Sequence, residues 1–161
     1  IDIGGQDIKV LNINDGIMTQ FQMNDKCAAG TGRFLDVMAK VLEIDINDMG
    51  ELGSQSVKPV AISSTCTVFA ESEVISQLST GAPVCDIVAG IHRSVASKVI
   101  GLVRRVGLRP DLVMTGGVSR NRDVVKALED GLGCEIHTSE LSQYAGAIGG
   151  ALYAAAKVRN T

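Results

Sequence analysis

Two of the four cysteines share a local setting that suits metal binding. Cys27 precedes the small-residue stretch 28–32 and a predicted helix, and Cys66 itself opens another predicted helix. The free N–H groups and the dipole at a helix N-terminus stabilise a thiolate, which is the form that iron–sulfur clusters require. A cubane cluster needs four thiolates, so a two-fold dimer in which each chain supplies Cys27 and Cys66 would complete one.

The alternative interpretation of any free cysteine is a small buried hydrophobic residue. We adopt it for Cys85, which lies among apolar residues near a helix start, and for Cys134, which lies in a short apolar strand. The sequence contains no Cys-x-x-Cys pair, so spacing alone does not identify a metal site. The sequence shows no secretory signal and no need of disulfides at this size, so we expect a cytoplasmic protein with free thiols.

Three loops of small residues could bring a backbone close to a phosphate. The motif DIGGQD at residues 2–7 turns one strand into the next, MTGG at residues 114–117 leads towards a helix that we expect Ser119 to cap, and residues 30–32 open a third helix. Anionic ligands bind at the carboxyl ends of strands and at helix N-termini in α/β domains, and Asp2 could hold a metal ion. For the first loop, a plain Gly-Gly hairpin with solvated carboxylates remains the alternative.

Composition excludes several other classes of protein. Of the 161 residues, 45% are apolar and 20% are charged, with a net charge of −3, so the chain can bury a core but offers no basic surface for nucleic acid or anionic lipid. No apolar run reaches the ~18 residues of a membrane span. The sequence also lacks a P-loop and the Gly-x-Gly-x-x-Gly motif of dinucleotide folds. We therefore expect neither a nucleic acid nor a membrane as partner.

The apolar pattern predicts an α/β domain in which a mixed sheet is flanked by helices. Asn14-Asp15-Gly16 indicates a hairpin at one side of the sheet, and alternating strands and helices indicate parallel crossovers at the other. The predicted strands cover residues 1–3, 8–13, 17–23, 57–62, 111–115 and 134–137. The first predicted helix begins after Thr31. The other predicted helices cover residues 67–78, 84–106, 121–132 and 143–158. The apolar stripe of the longest helix comprises Ile87, Ile91, Val95, Val99 and Val103.

Four titratable side chains receive no chemical role from the sequence. His92 and His137 have no partner at a suitable spacing, so we expect a helix-face residue and a strand-end residue. Glu71 and Glu73 are expected on the solvated face of their helix.

Four segments together resemble the activators of 2-hydroxyacyl-CoA dehydratases, to which the ATPase subunits of benzoyl-CoA reductase are related. The segments are DIGGQDIK (2–9), NDKCAAGTGRF (24–34), STCTVFAESE (64–73) and TGGV (115–118). The two cysteine segments are specific to these proteins. The two glycine segments alone would fit the wider actin, hexokinase and heat-shock-chaperone ATPase superfamily.

The resemblance implies a ribonuclease-H-like fold and an ATP-driven donor of one electron to a dehydratase. It implies a homodimer with one [4Fe-4S] cluster on Cys27 and Cys66 of both chains, ATP or ADP with Mg²⁺ in each chain, and reduced ferredoxin or flavodoxin as the electron source. The residues implied at the nucleotide are Asp2 and Gln6 as catalytic groups and Gly4, Gly5, Gly30, Thr31, Gly32, Gly116 and Gly117 as binding groups.

One part of the family pattern is missing. The first phosphate motif, an Asp-x-Gly segment near the true N-terminus, is absent, and Ile1 is not an initiator Met. We expect residues 1–161 to be a C-terminal ATPase and cluster-binding domain that does not hydrolyse ATP efficiently without its other half. Two other functions stay open: a sugar-type kinase of the same superfamily, with Asp25 as base, and a non-catalytic redox-sensing or assembly module.

Overall fold

The structure, a computed structural model, describes residues 1–24, 26–63 and 66–159. The strands are β1 (Asp2–Ile3), β2 (Ile8–Asn14), β3 (Ile17–Asn24), β4 (Leu112–Val113) and β5 (Ile136–His137). The helices are α1 (Gly32–Val41), α2 (Met49–Ser54), α3 (Thr67–Ser79), α4 (Val84–Val106), α5 (Arg122–Leu132) and α6 (Ala145–Arg159), with 3-10 turns at Gly117–Arg120 and Ser142–Tyr144. Across these ranges, no helix is both long enough and apolar enough to cross a membrane.

The strands form a three-stranded antiparallel sheet and a two-stranded parallel sheet, which a bridge between Asp2 and Thr115 joins into the mixed arrangement that the sequence predicts. Strand β2 pairs antiparallel with both β1 and β3, and β4 pairs in parallel with β5. Thr115, just beyond β4, connects these two groups of strands, because its N–H donates to the Ile1 carbonyl (2.8 Å) and its carbonyl accepts from the Ile3 N–H (3.1 Å). The hairpin therefore lies on one side of β1 and the parallel strands on the other.

Helix α4 forms the centre of the core. All five residues of its predicted apolar stripe are at most 2% exposed. It contacts α2, α3 and α5 as well as the β2–β3 hairpin. The helix ends at Gly107, which adopts a positive φ of 90° that favours glycine. Its bounds are those predicted from the sequence.

The predicted strand at residues 57–62 is wrong. Its first N–H groups bond to α4 instead of to a neighbouring strand: Val57 and Lys58 donate to the Asp86 carboxylate at 3.2 and 3.1 Å. Val60 donates to the Asp86 carbonyl at 3.1 Å, and Pro59 has no N–H to offer. The segment is therefore irregular and anchored to the first turn of α4.

Helix caps also differ from the expectation. Asn121, not Ser119, caps α5, because its Oδ1 accepts from the Val124 N–H at 3.1 Å. The Ser119 hydroxyl instead donates to the Gly116 carbonyl at 2.7 Å, inside the 3-10 turn. Because the cap lies two residues after the predicted one, the 3-10 turn at Gly117–Arg120 comes before α5.

Cys134 and Glu73 differ from the expectation, whereas Cys85 lies near a helix start as expected but is less buried than a core residue. Cys134 lies before β5 rather than within a strand, and it is half-buried. Glu73 is half-buried and its carboxylate accepts a hydrogen bond from the Ser63 N–H, so it anchors the chain ahead of α3 instead of facing solvent. Cys85 lies in the first turn of α4, also half-buried.

The variant Asp86→Asn tests the anchor of the irregular segment. Hydrogen bonds from the Ser56 hydroxyl and the Lys58 N–H hold the pKa of Asp86 below its ordinary value of 3.8. A lowered folded-state pKa means that the carboxylate stabilises the fold above the unfolded-state pKa and that this contribution is lost as pH falls through the folded-state value. We expect the variant to unfold at lower urea concentration near neutral pH and the difference from wild type to narrow below pH 3.8. A pH-independent difference would contradict this account.

Candidate functional site

A cleft of about 570 Å³ opens between the β1–β2 turn, the start of α1, the residues leading into α2, and the turn after β4. Five of the residues singled out by the sequence line it: Gly4, Gly5, Gln6, Gly32 and Gly117. Segments far apart in the sequence therefore meet around one cavity of the size that ligand sites occupy.

Two backbone hydrogen bonds join the β1–β2 turn to α1. The Gly32 N–H donates to the Gly4 carbonyl (2.9 Å), and the Arg33 N–H donates to the Gly5 carbonyl (2.8 Å). A Cβ on Gly32 would lie 3.1 Å from the Gly4 carbonyl oxygen, so this close contact depends on the absence of a side chain. The turn and the first residues of α1 form one wall of the cleft.

Gly5 and Gly117 leave the cleft open to their backbones. A Cβ built on either residue would meet no atom within 4 Å, although both residues line the cavity. A Cβ at either position would therefore meet open space rather than protein. Backbone exposed in this way can approach a phosphate closely.

The cleft combines cationic and apolar groups. Arg33 and Arg120 line it; Arg33 Nη1 lies 2.9 Å from Asp36 Oδ2, and Arg120 Nη1 lies 3.4 Å from Gln143 Oε1. Ile46, which is 40% exposed, adds an apolar surface. Guanidinium groups suit phosphate oxygens, and an apolar wall suits a flat ring.

Three predicted binding residues support the wall from behind. Gly116 adopts a φ of 84°, and a Cβ there would collide with the Ile3 backbone. Thr31 is fully buried, and its hydroxyl donates to the Ala28 carbonyl at 2.6 Å, so it occupies the N-cap position of α1 without bonding a helix N–H. Gly30 has a φ of 90° in the same loop. These residues shape the loops that carry the lining residues.

The two residues predicted to be catalytic have different positions. Gln6 is exposed and lines the cleft. Asp2 lies in β1, where its Oδ2 accepts from the Thr115 hydroxyl (2.7 Å) and its Oδ1 lies 3.8 Å from Lys9 Nζ. Lys9 also pairs with Asp7 at 2.7 Å. A cation bound at Asp2 would therefore compete with the Lys9 ammonium.

Sequence reasoning missed a buried network behind the cleft. His92 is fully buried in α4, with its Nδ1 2.6 Å from Asp123 Oδ2 and its Nε2 3.0 Å from the Asn121 side-chain nitrogen. Asn121 Oδ1 accepts from the Val124 N–H, which orients the amide so that its NH₂ group donates to Nε2. Nδ1 then carries the hydrogen and donates to Asp123. Because Asn121 lines the cleft, the network fixes one of its walls.

Helix α2 packs directly against this network at Gly53. A Cβ on Gly53 would lie 2.7 Å from His92 Nδ1 and would collide with the Asp123 carboxylate. The sequence did indicate that His92 is buried, because it lies one residue after Ile91 and three before Val95, both on the buried side of α4. A buried imidazole needs a polar partner, but the sequence could not indicate which helix supplies it.

Cys27 and Cys66 are both half-buried free thiols. Cys66 is the N-cap residue of the 13-residue helix α3, as predicted, and Cys27 precedes the loop that enters α1. Helix α3 contacts α1, so Cys27 lies in the segment before the helix that begins in the cleft wall, and Cys66 begins a helix that packs on it. The neighbours Ser64 and Thr65, and Asp25, lie outside the described residues.

The donor chemistry of these cysteines fits half of an iron–sulfur site. Over residues 1–24, 26–63 and 66–159, no group of three or more His, Cys, Asp or Glu side chains could hold a metal ion. Within these described ranges, one chain therefore does not offer a complete ligand set for a metal ion.

The chain belongs to the BadF/BadG/BcrA/BcrD ATPase family, whose model matches residues 1–154. It is 70% identical over 154 residues to the (R)-2-hydroxyglutaryl-CoA dehydratase activating ATPase of Acidaminococcus fermentans, covering 96% of this chain and 59% of that protein. The resemblance to dehydratase activators is confirmed.

Two solved structures share the fold. The A. fermentans (R)-2-hydroxyglutaryl-CoA dehydratase component A matches with a TM-score of 0.92 and 69% identity, covering 94% of this chain and 59% of that chain. The activator of 2-hydroxyisocaproyl-CoA dehydratase from Clostridium difficile, solved with bound ADPNP, matches with a TM-score of 0.96 and 54% identity, covering 99% of this chain and 60% of that chain. The chain thus spans about three fifths of the length of these relatives.

The variant His92→Ala tests the buried network. It removes the partner of a largely buried carboxylate and leaves a cavity in α4, so we expect the free energy of unfolding to fall by about 3 kcal/mol. The matched control is His137→Ala. The His137 side chain is 54% exposed, so its removal should change the free energy of unfolding by less than about 0.5 kcal/mol. Urea denaturation followed by circular dichroism measures both; equal effects in the two variants would disprove a structural role for the network.

Proposed function

We propose that the protein acts as an ATP-dependent activator that donates one electron to a 2-hydroxyacyl-CoA dehydratase. Membership of an ATPase family and 70% identity to a dehydratase activating ATPase support this assignment. The observation that carries it is that both predicted cluster ligands lie next to the helix that begins in the cleft, one in the segment before it and one at the start of a helix packed on it. Cys27 leads into α1 through residues 28–31, and α3, which Cys66 caps, packs on α1.

The cleft is the proposed ATP site. The open backbones of Gly5 and Gly117 would receive the phosphates, the guanidinium groups of Arg33 and Arg120 would complement their charge, and Ile46 would contact the base. Support for a nucleotide comes from the family and from the relative solved with ADPNP. A ribonuclease-H-like domain of the actin and hexokinase superfamily is the fold that we propose for this arrangement.

Asp2 and Gln6 are the proposed catalytic residues. Mg²⁺ is usually held by one or two carboxylates together with the phosphates of the substrate, and Asp2, two residues before the lining glycines, offers such a carboxylate. The Gln6 amide can both donate to and accept from a water molecule, so it can orient the water that attacks the terminal phosphate.

Cys27 and Cys66 of two chains would together hold one [4Fe-4S] cluster. When bound, that cluster supplies a carrier of single electrons at low potential. The protein's own contribution is to hold one sulfur in the segment before α1 and the other at the start of α3, next to the helix that begins in the cleft. Since the first N–H groups of α1 bond to the β1–β2 turn, a nucleotide that moves this turn would also move α1, the loop of Cys27 and, through α3, Cys66.

The proposal requires three partners. A second copy of the chain supplies the other two thiols, a dehydratase accepts the electron, and reduced ferredoxin or flavodoxin supplies it. A sugar-type kinase is not favoured, because the relatives reported above are dehydratase activators and because a kinase has no use for free thiols in the segment before α1 and at the start of α3.

The variant Gly5→Val tests the nucleotide site. A Cβ at this cleft-lining position meets no protein atom within 4 Å, so the fold can accommodate valine, which would take space from a bound phosphate. We expect the affinity for a non-hydrolysable ATP analogue to fall about tenfold, a loss of about 1.4 kcal/mol. Isothermal titration calorimetry measures the affinity. Gly101→Val is the control, because Gly101 also has open space around its Cβ position but lies in α4. Unchanged affinity in Gly5→Val would exclude the cleft as the site.

The variants Cys27→Ser and Cys66→Ser test the cluster. A hydroxyl is a poor replacement for a thiolate ligand, so we expect each variant to lose the brown chromophore and most of its iron and sulfide. Wild type, purified anaerobically, should contain about four iron ions per dimer. Cys85→Ser and Cys134→Ser, which change two other half-buried thiols, should retain wild-type iron. A wild-type protein without iron, or a Cys27→Ser variant that keeps it, would refute the assignment.

A further inference from the structure

The Cys27 sulfur has a charged neighbour that the proposed function does not use. Lys98, on α4, places its Nζ 3.6 Å from Cys27 Sγ. These residues are 71 positions apart in the sequence, so only the fold brings them together. The lysine side chain is half-buried. Among the described residues, no ion pair includes Lys98, so no carboxylate there neutralises its charge.

Gly30 makes room for the lysine stem. A Cβ on Gly30 would lie 3.2 Å from Lys98 Cδ and 3.5 Å from Lys98 Cβ, and 3.2 Å from Ile8 Cδ1. Gly30 also has a φ of 90°, which bends the loop away from the direction that a residue with a side chain would favour. The hydrocarbon stem of Lys98 therefore crosses the loop directly over Gly30, and its ammonium group is aimed at the sulfur.

We infer that Lys98 is a positioning residue that holds a fixed positive charge against the Cys27 ligand sulfur. The inference rests on the proposed function, in which this sulfur binds a cluster. A hydrogen bond and a positive charge beside a ligand sulfur withdraw electron density from it and stabilise the more negatively charged, reduced form of the centre, so they raise its reduction potential.

The two ligand sulfurs have different surroundings. Cys66 occupies the N-cap position of α3, at the positive end of a helix dipole, whereas Cys27 has an ammonium group 3.6 Å from its sulfur. Helix α4 carries both residues: Lys98 faces Cys27, and His92, on a different face of the helix, belongs to the network behind the cleft. The position of the positive charge beside the Cys27 sulfur therefore depends on the position of α4.

The variant Lys98→Met tests this role, with Lys98→Arg as the matched control. Methionine keeps an unbranched stem over Gly30 but removes the charge, while arginine keeps the charge. We expect Lys98→Met to lower the reduction potential, so that the ratio of oxidised to reduced centre at a fixed potential rises about tenfold, equivalent to about 59 mV for a one-electron couple. Lys98→Arg should stay closer to wild type. Potentiometry monitored by electron paramagnetic resonance on the anaerobically purified dimers gives the potentials.

Iron and sulfide content of the same samples separates the possible results. Equal content with a lowered potential only in Lys98→Met supports the inference. Equal content with an unchanged potential in Lys98→Met overturns it while leaving the proposed function intact. A shift of the same size in both variants also overturns it, because packing rather than charge would then be responsible. Absence of an iron–sulfur centre from wild type would refute the proposed function, and the inference with it.

Discussion

The arrangement of this protein depends on two short backbone contacts, from the N–H groups of Gly32 and Arg33 to the carbonyls of Gly4 and Gly5. Helix N-termini carry unpaired N–H groups that need acceptors, and here a strand-connecting turn supplies them. The helix that follows the Cys27 loop is thereby bonded to the turn that lines the cleft. Any ligand that shifts this turn acts on α1 through hydrogen bonds rather than through flexible side chains.

Helix α4 provides a second connection through the core. His92 bonds to Asn121 in the cleft wall, and Lys98 reaches Cys27 from another side of the helix. The two residues are six positions apart, which corresponds to about 9 Å along the axis and about 120° around it. Since the stripe from Ile87 to Val103 is fully packed, α4 is held tightly in the core and links the backbone positions behind both contacts.

Glycines determine which segments of the fold can approach one another. Gly32 permits the turn to contact α1, Gly53 lets α2 close over His92, and Gly116 lets the turn after β4 pass the Ile3 backbone. At Gly5 and Gly117, which line the cleft, a Cβ would face open space instead. The same residue type thus serves packing at three positions and leaves room for a ligand at two, and the sequence motifs do not distinguish these uses.

The sequence by itself determined the elements whose cause is local. Periodic apolar residues defined α4 from Val84 to Val106, the Asn14–Gly16 turn defined the β2–β3 hairpin, and Cys66 was placed at a helix start because the apolar pattern begins after it. Motif spacing also located the glycines that line the cleft.

The tertiary structure decided the features that depend on distant partners. Asp86 accepts hydrogen bonds from N–H groups of the segment 57–62, which therefore do not bond to a neighbouring strand. Asp123, on α5, is the partner of His92. Lys98 lies beside Cys27 for the same reason, since contacts over tens of residues follow from how helices pack and leave no local pattern in the chain.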